Sequence, residues 1–69
     1  MPLSMLGTGS VRRICAVHGD DSVKKHLHEL GFVEGAEVEV ISDSNGNLIV
    51  GLYGSRLALN RDLARRILV

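Results

Sequence analysis

Glycines at positions 7, 9, 19, 31, 35, 46, 51 and 54 divide this 69-residue chain into short segments, and only one of them, Asp20–Leu30, carries a helical period. A chain punctuated in this way builds short strands joined by tight turns, not a helical bundle. Its length allows a single domain, residues 1–69. Tyr53, Phe32 and no Trp supply the aromatic content, so burial of Val, Leu, Ile and Ala has to offset most of the ordering entropy.

The predicted helix is bounded at both ends. Val23, Leu27 and Leu30 recur at i, i+4 and i+7, one stripe of a 3.6-residue period. Asp20, Asp21 and Ser22 offer side-chain oxygens to the unpaired N–H groups of the first turn, and the two carboxylates suit the helix dipole. Gly31 follows as a residue able to take positive φ, with Phe32 beyond it placed to contact Leu27.

Around this helix the patterning predicts five short strands. Ser10–Val17 comes first, and the uneven spacing of Val11, Ile14, Cys15 and Val17 places a bulge near Arg12-Arg13. Glu37–Ser42 alternates Val38 and Val40 against Glu37 and Glu39, with Ile41 breaking the pattern. Asn45-Gly46 provides a hairpin turn, Leu48–Tyr53 the returning strand, Gly54-Ser55 a further turn, and Arg56–Leu59 a strand with Leu57 and Leu59 inward. Asn60 caps one helical turn, Arg61–Arg66, before Ile67–Val69 closes the chain as a short strand. The expected class is mainly β: a small SH3-like β-barrel of about five strands, with one α-helix after the first strand and a short helical turn before the last. An open sheet packed on one helix is the competing architecture.

Composition excludes several functions. Eight basic against eight acidic side chains leave no net charge, so the broad positive field of a dedicated nucleic-acid binder is missing. One Cys forms no internal disulfide, which argues for a reducing compartment. Met-Pro-Leu-Ser-Met-Leu-Gly has neither the basic nor the apolar stretch of a secretory signal, and no apolar run approaches the roughly 20 residues that span a bilayer. A cytoplasmic protein with no membrane insertion is expected. No nucleophile elbow, paired-carboxylate signature or phosphate-binding Gly-rich loop is present. The chain is not expected to be an enzyme or to carry a cofactor.

Three landmarks occur in order along the whole chain: Leu30-Gly31-Phe32-Val33-Glu34-Gly35 at the helix exit, Gly54-Ser55-Arg56-Leu57-Ala58-Leu59 in the turn and strand after it, and the ending Arg61-Asp62-Leu63-Ala64-Arg65-Arg66-Ile67-Leu68-Val69. With the opening Pro2-Leu3-Ser4, they resemble the FeoA family, small cytosolic proteins of bacterial ferrous-iron uptake. The resemblance implies an SH3-like barrel that accompanies FeoB, a membrane iron permease with a cytoplasmic GTPase domain. It also implies likeness to the C-terminal domain of iron-dependent repressors of the diphtheria-toxin-repressor type, for whose DNA-reading domain there is no room here. The expected function is that of a non-enzymatic adaptor docking on the permease's cytoplasmic region and modulating its assembly or activity.

The docking surface expected from the sequence is the helix exit and the hairpin: Leu30, Phe32, Tyr53 and Arg56. In Leu48–Tyr53 both faces are apolar, with Leu48, Val50 and Leu52 on one and Ile49 and Tyr53 on the other. A domain of this size buries one such face and leaves the second to a loop, to strong coiling of the sheet, or to a partner. Arg56 beside a Gly-Ser turn reads first as a structural residue, then as a contact, rather than as an arginine finger for the permease GTPase. Two rivals are weighed against the adaptor. A metal-binding or metal-bridged oligomeric module would use Cys15, His18, His26 and His28. However, His26 and His28 point about 200° apart on a helix, and Cys15 among Ile14, Ala16 and Val17 reads as a buried thiol, so no metal site is expected. A nucleic-acid-binding barrel would use Arg61, Arg65 and Arg66, but their simpler role is a solvated face near a helix C-terminus. A homo-oligomer stays open.

Overall fold

The computed structural model describes residues 1–44 and 46–69. After a 3-10 turn at Leu3–Met5 come β1 (Val11–Arg13), β2 (Ala16–Val17), α1 (Asp21–Leu30), β3 (Glu37–Ser44), β4 (Asn47–Leu52), β5 (Ser55–Asn60), α2 (Arg61–Ala64) and β6 (Ile67–Leu68). The strands form a four-stranded sheet in the order β1-β3-β4-β5 and a two-stranded sheet of β2 and β6, every pairing antiparallel. This is a mixed α/β arrangement of two sheets and two helices, with no closed barrel among the described residues. It corrects the mainly-β, five-strand expectation, and α1 follows the second strand, not the first.

The difference arises at Ile14. Expected to run unbroken from Ser10 to Val17, the first strand changes partners there instead of bulging at Arg12-Arg13. Ile14 donates its amide to the Ala36 carbonyl (2.9 Å) and accepts from Gly35 (2.8 Å), continuing the β1–β3 ladder. The next amide, that of Cys15, bonds the Leu68 carbonyl (2.7 Å) and opens the β2–β6 ladder. Pro2 bridges the other side of Leu68, and Met1 and Val69 exchange main-chain hydrogen bonds of 2.8 and 2.9 Å.

Helix α1 ends as its sequence predicts. The Asp20 carboxylate accepts from the Val23 amide at 2.9 Å, capping the N-terminus. At the other end Gly31 sits at φ 107°, its amide bonded to the His28 carbonyl and that of Phe32 to the Leu27 carbonyl, both at 3.0 Å. These two bonds define a Schellman motif, and they turn Phe32 into the core.

That core is entirely apolar. Leu3, Leu27, Phe32, Val38, Val40, Leu48, Val50, Ala64 and Ile67 are fully enclosed. Val38 and Val40 from β3 and Leu48, Val50 and Leu52 from β4 line the inner face of the larger sheet. The register of β3 against β4 shifts between Val40 and Ser42, so Ile41, which breaks the alternation in the sequence, is the site of a bulge. Gly46 is at φ 80°, while Asn45, expected to share its turn, lies outside the described residues. The second hairpin turn is displaced by one residue from Gly54-Ser55. Leu52 pairs with Ser55, leaving Tyr53 (φ 51°) and Gly54 (φ 78°) as the two turn residues. Positive φ at both positions is the signature of a type I′ turn, whose twist matches that of the flanking strands. Asn60 caps α2 by accepting from the Leu63 amide at 2.9 Å.

A Cβ at position 31 would lie 3.1 Å from Cδ2 of Leu52 and 3.3 Å from the Tyr53 ring, on a backbone that already disfavours L side chains. Gly31→Val is therefore expected to lower stability by at least about 1–2 kcal/mol, read as a clear fall in the midpoint of a thermal melt.

Candidate functional site

The outward face of the larger sheet is built from the alternate residues of its strands. Register places Val11, Glu39, Gly51 and Arg56 in one row across β1, β3, β4 and β5, and Arg13 opposite Glu37 in another. The bulge at Ile41 carries its Cδ1 to 3.3 Å from the point where a Gly51 Cβ would sit, so that side chain leans over the glycine. The second apolar face of β4 is thereby partly covered from within, and Ile49 is half-buried. What stays open is a groove of about 270 Å³, lined chiefly by Glu37, Glu39, Gly51, Tyr53 and Arg56.

Tyr53 closes one end of this groove. It is 72% exposed, and its ring edge packs beside Gly31 at the exit of α1. It is also the non-glycine residue with positive φ among the described residues. A bulky side chain in that region costs about 1–2 kcal/mol, where Asn or Gly would cost less. The turn thus holds a large, wet aromatic ring in a conformation unfavourable to it, which is how side chains kept for contact are often found.

The structure brings three of the four expected surface residues to this side of the molecule. Leu30, 40% exposed, ends the helix next to Gly31, and Arg56 is exposed on β5 beside the Tyr53 turn. Phe32 is a correction: it is fully buried, because the Schellman motif that fixes the helix exit turns its ring inward. Glu37, Glu39 and Ile41 were not singled out from the sequence. The alternation of glutamates with valines was visible there, but the groove exists only once the β3–β4 register and its bulge are known.

The four candidate metal ligands are all exposed. Cys15, expected to be a buried thiol, is at the surface, because the chain switches sheets at this point and it is Ile14 that enters the core. His18, His26 and His28 are exposed too, and among the described residues no group of three or more His, Cys, Asp or Glu converges. In the C-terminal arginine cluster, Arg61 pairs with Asp43 and donates to the Ser4 carbonyl at 3.3 Å, while Arg65 pairs with Asp62 at 3.2 Å. Two of the three cations are thus partnered locally. Among the described residues no helix is long and apolar enough to cross a membrane.

Over residues 1–69 the chain matches the FeoA domain family. FeoA of Stenotrophomonas maltophilia, a prokaryotic SH3 domain protein solved with zinc, is 32% identical at a TM-score of 0.88, covering 100% of this chain and 88% of that one. An iron uptake regulatory protein, also a FeoA, is 26% identical at a TM-score of 0.91, covering 97% of this chain and 91% of the other. A manganese-dependent transcriptional repressor aligns with 97% of this chain and 39% of its own at a TM-score of 0.89. At 14% identity that is a likeness of fold alone. No curated protein sequence matches significantly.

If the Tyr53 ring is retained for contact and not for folding, Tyr53→Asn should leave the domain at least as stable, with a gain of up to about 1 kcal/mol from the Asn-Gly turn it creates. Urea denaturation of the two proteins side by side measures the difference.

Proposed function

Because the chain belongs to the FeoA family, we propose that it is a non-enzymatic accessory factor of ferrous iron transport that docks on the cytoplasmic, GTPase-containing region of a FeoB-type permease and modulates its assembly or activity. The observation that carries the reading is Tyr53, an exposed aromatic ring held in a left-handed turn beside the helix exit. Aromatic side chains with a polar tip bring large contact area at small entropic cost and dominate many interfaces. Leu30 and Arg56 complete the docking surface in this reading, an apolar neighbour on one side and a cation on the other. Residues 1–69 act as one domain, and the two sheets are taken as the halves of an SH3-like barrel. The SH3 description of the Stenotrophomonas maltophilia relative supports that reading.

Replacing Tyr53 by Ala or Asn should weaken binding to the permease's cytoplasmic region by about 1–3 kcal/mol, roughly tenfold to a hundredfold in Kd. Isothermal titration with and without guanine nucleotide reads this directly. Circular dichroism of each variant separates loss of the contact from loss of the fold. Normal binding by a folded Tyr53→Asn protein would reject the surface, and failure of the unmodified chain to bind intact permease in membranes would reject the adaptor.

One observation favours a second reading, a metal-binding module: the Stenotrophomonas maltophilia relative was solved with zinc. In this chain the exposed Cys15, His18, His26 and His28 are the candidate ligands. Their failure to converge leads to the expectation that protein purified without an affinity tag carries no stoichiometric zinc or iron. Elemental analysis finding one metal per chain, lost in both Cys15→Ala and His18→Ala, would favour the second reading.

A further inference from the structure

The second hairpin fixes which main-chain groups of β5 point out of the sheet. With Tyr53 and Gly54 as a two-residue loop, Leu52 and Ser55 are the closing pair, and such a pair exchanges both of its main-chain hydrogen bonds. Alternation along the ladder then bonds Val50 to Leu57 and Leu48 to Leu59, and leaves Gly51–Arg56 and Ile49–Ala58 as the unbonded pairs. On β5 the amides and carbonyls of Arg56 and Ala58 therefore turn to the outer edge, where no strand follows in the sheet order. Among the described residues no hydrogen bond reaches any of these four groups. The opposite edge of the sheet, β1, is three residues long, carries Arg12 and Arg13, and stops where the chain changes sheets. Short length and charge are common ways of keeping an edge from pairing. β5 has six residues, an unbroken register, no proline and a single charge, Arg56.

We propose that β5 accepts an extended, acidic segment of the partner as an additional strand of the larger sheet; this deepens the docking role proposed above and rests on it. Donors and acceptors repeating at every second residue are satisfied in full by another extended backbone. The side chains on either side of the edge say what that strand carries. Arg56 is exposed on the outward face and has no ion pair among the described residues, so a carboxylate side chain abreast of it finds an unpaired cation. Leu57, on the inner face, packs against the core yet stays half-buried, and an apolar side chain on the next residue of the added strand completes its cover. The Tyr53-Gly54 turn bounds this slot at one end and α2 at the other, which leaves room for about four residues of strand. Main-chain bonds supply the affinity, while Arg56 and Leu57 select the sequence.

Hydrogen exchange followed residue by residue, with the permease's cytoplasmic region as the probe, tests this directly. In the isolated chain the amides of Arg56 and Ala58 should exchange at nearly unprotected rates, and saturating complex formation should slow both at least about tenfold. Ala58→Pro removes one of the two outward amides at an exposed edge position where proline is tolerated, and should weaken binding at least about tenfold. Arg56→Glu should weaken it by a similar factor, with the difference from the wild type shrinking as salt is raised. Circular dichroism checks the fold of both variants, and the exchange measurement on the unmodified chain needs neither. Binding by the unmodified chain with both amides still exchanging freely would overturn the added strand and leave the docking role standing. Normal binding by a folded Ala58→Pro protein would do the same. Protection of the two amides that rises with the concentration of the chain alone would assign the edge to a second copy and overturn the proposal. Failure of the unmodified chain to bind the permease region at all would reject the docking role and the added strand together.

Discussion

Two successive amides, those of Ile14 and Cys15, bond to different sheets, and the rest of the molecule depends on that divergence. Ile14 completes the ladder to the β3 side, while Cys15 opens the ladder to β6. The side chain between these commitments, that of Ile14, is driven into the core. One change of partner therefore ties the four-stranded sheet to the closing strand of the chain and stands a second wall against the core. With it, Ile14 and Ile67 join Leu3, Leu27 and Phe32 in the cluster that covers the inner faces of β3 and β4, and an apolar core this small has little stability to spare.

The same divergence explains why some elements were legible in the sequence and others were not. Helix α1 was readable because its determinants are local: Asp20 caps, the leucine stripe repeats, and Gly31 ends it through bonds to residues one turn back. The break at Ile14 was not readable, since nothing within Ser10–Val17 distinguishes a strand that bulges from one that changes partner. The answer lies in Ala36 and Leu68, more than 20 residues away. Ile41 stood out as a break in alternation, and the structure turns that break into a bulge. The Tyr53-Gly54 turn was misplaced by one residue because no propensity argument puts a tyrosine at positive φ.

The candidate surface was partly legible for a related reason. Exposure of Tyr53 and Arg56 follows from their place at a hairpin, which the glycine pattern announced. Phe32 was misplaced because an aromatic residue just past a helix reads as surface or core according to where the Schellman turn points it. Here it points inward. The glutamates of β3 were plain in the sequence as the polar half of an alternation, yet the row that sets Glu39 beside Gly51, and Gly51 beside Arg56, required the register of three strands. A surface of this kind is harder to read than an element, because it is assembled from residues far apart in the chain.

The main-chain bonds between Met1 and Val69 bear on how such a unit is carried by larger proteins. A polypeptide that enters and leaves a folded body at one point can be spliced into a surface loop or hung from the end of another domain without stretching either host. The host need only bring two backbone ends to within a few ångströms, a spacing that any hairpin loop provides. Such a body is portable: it can be gained as a pendant while its own ladders remain intact.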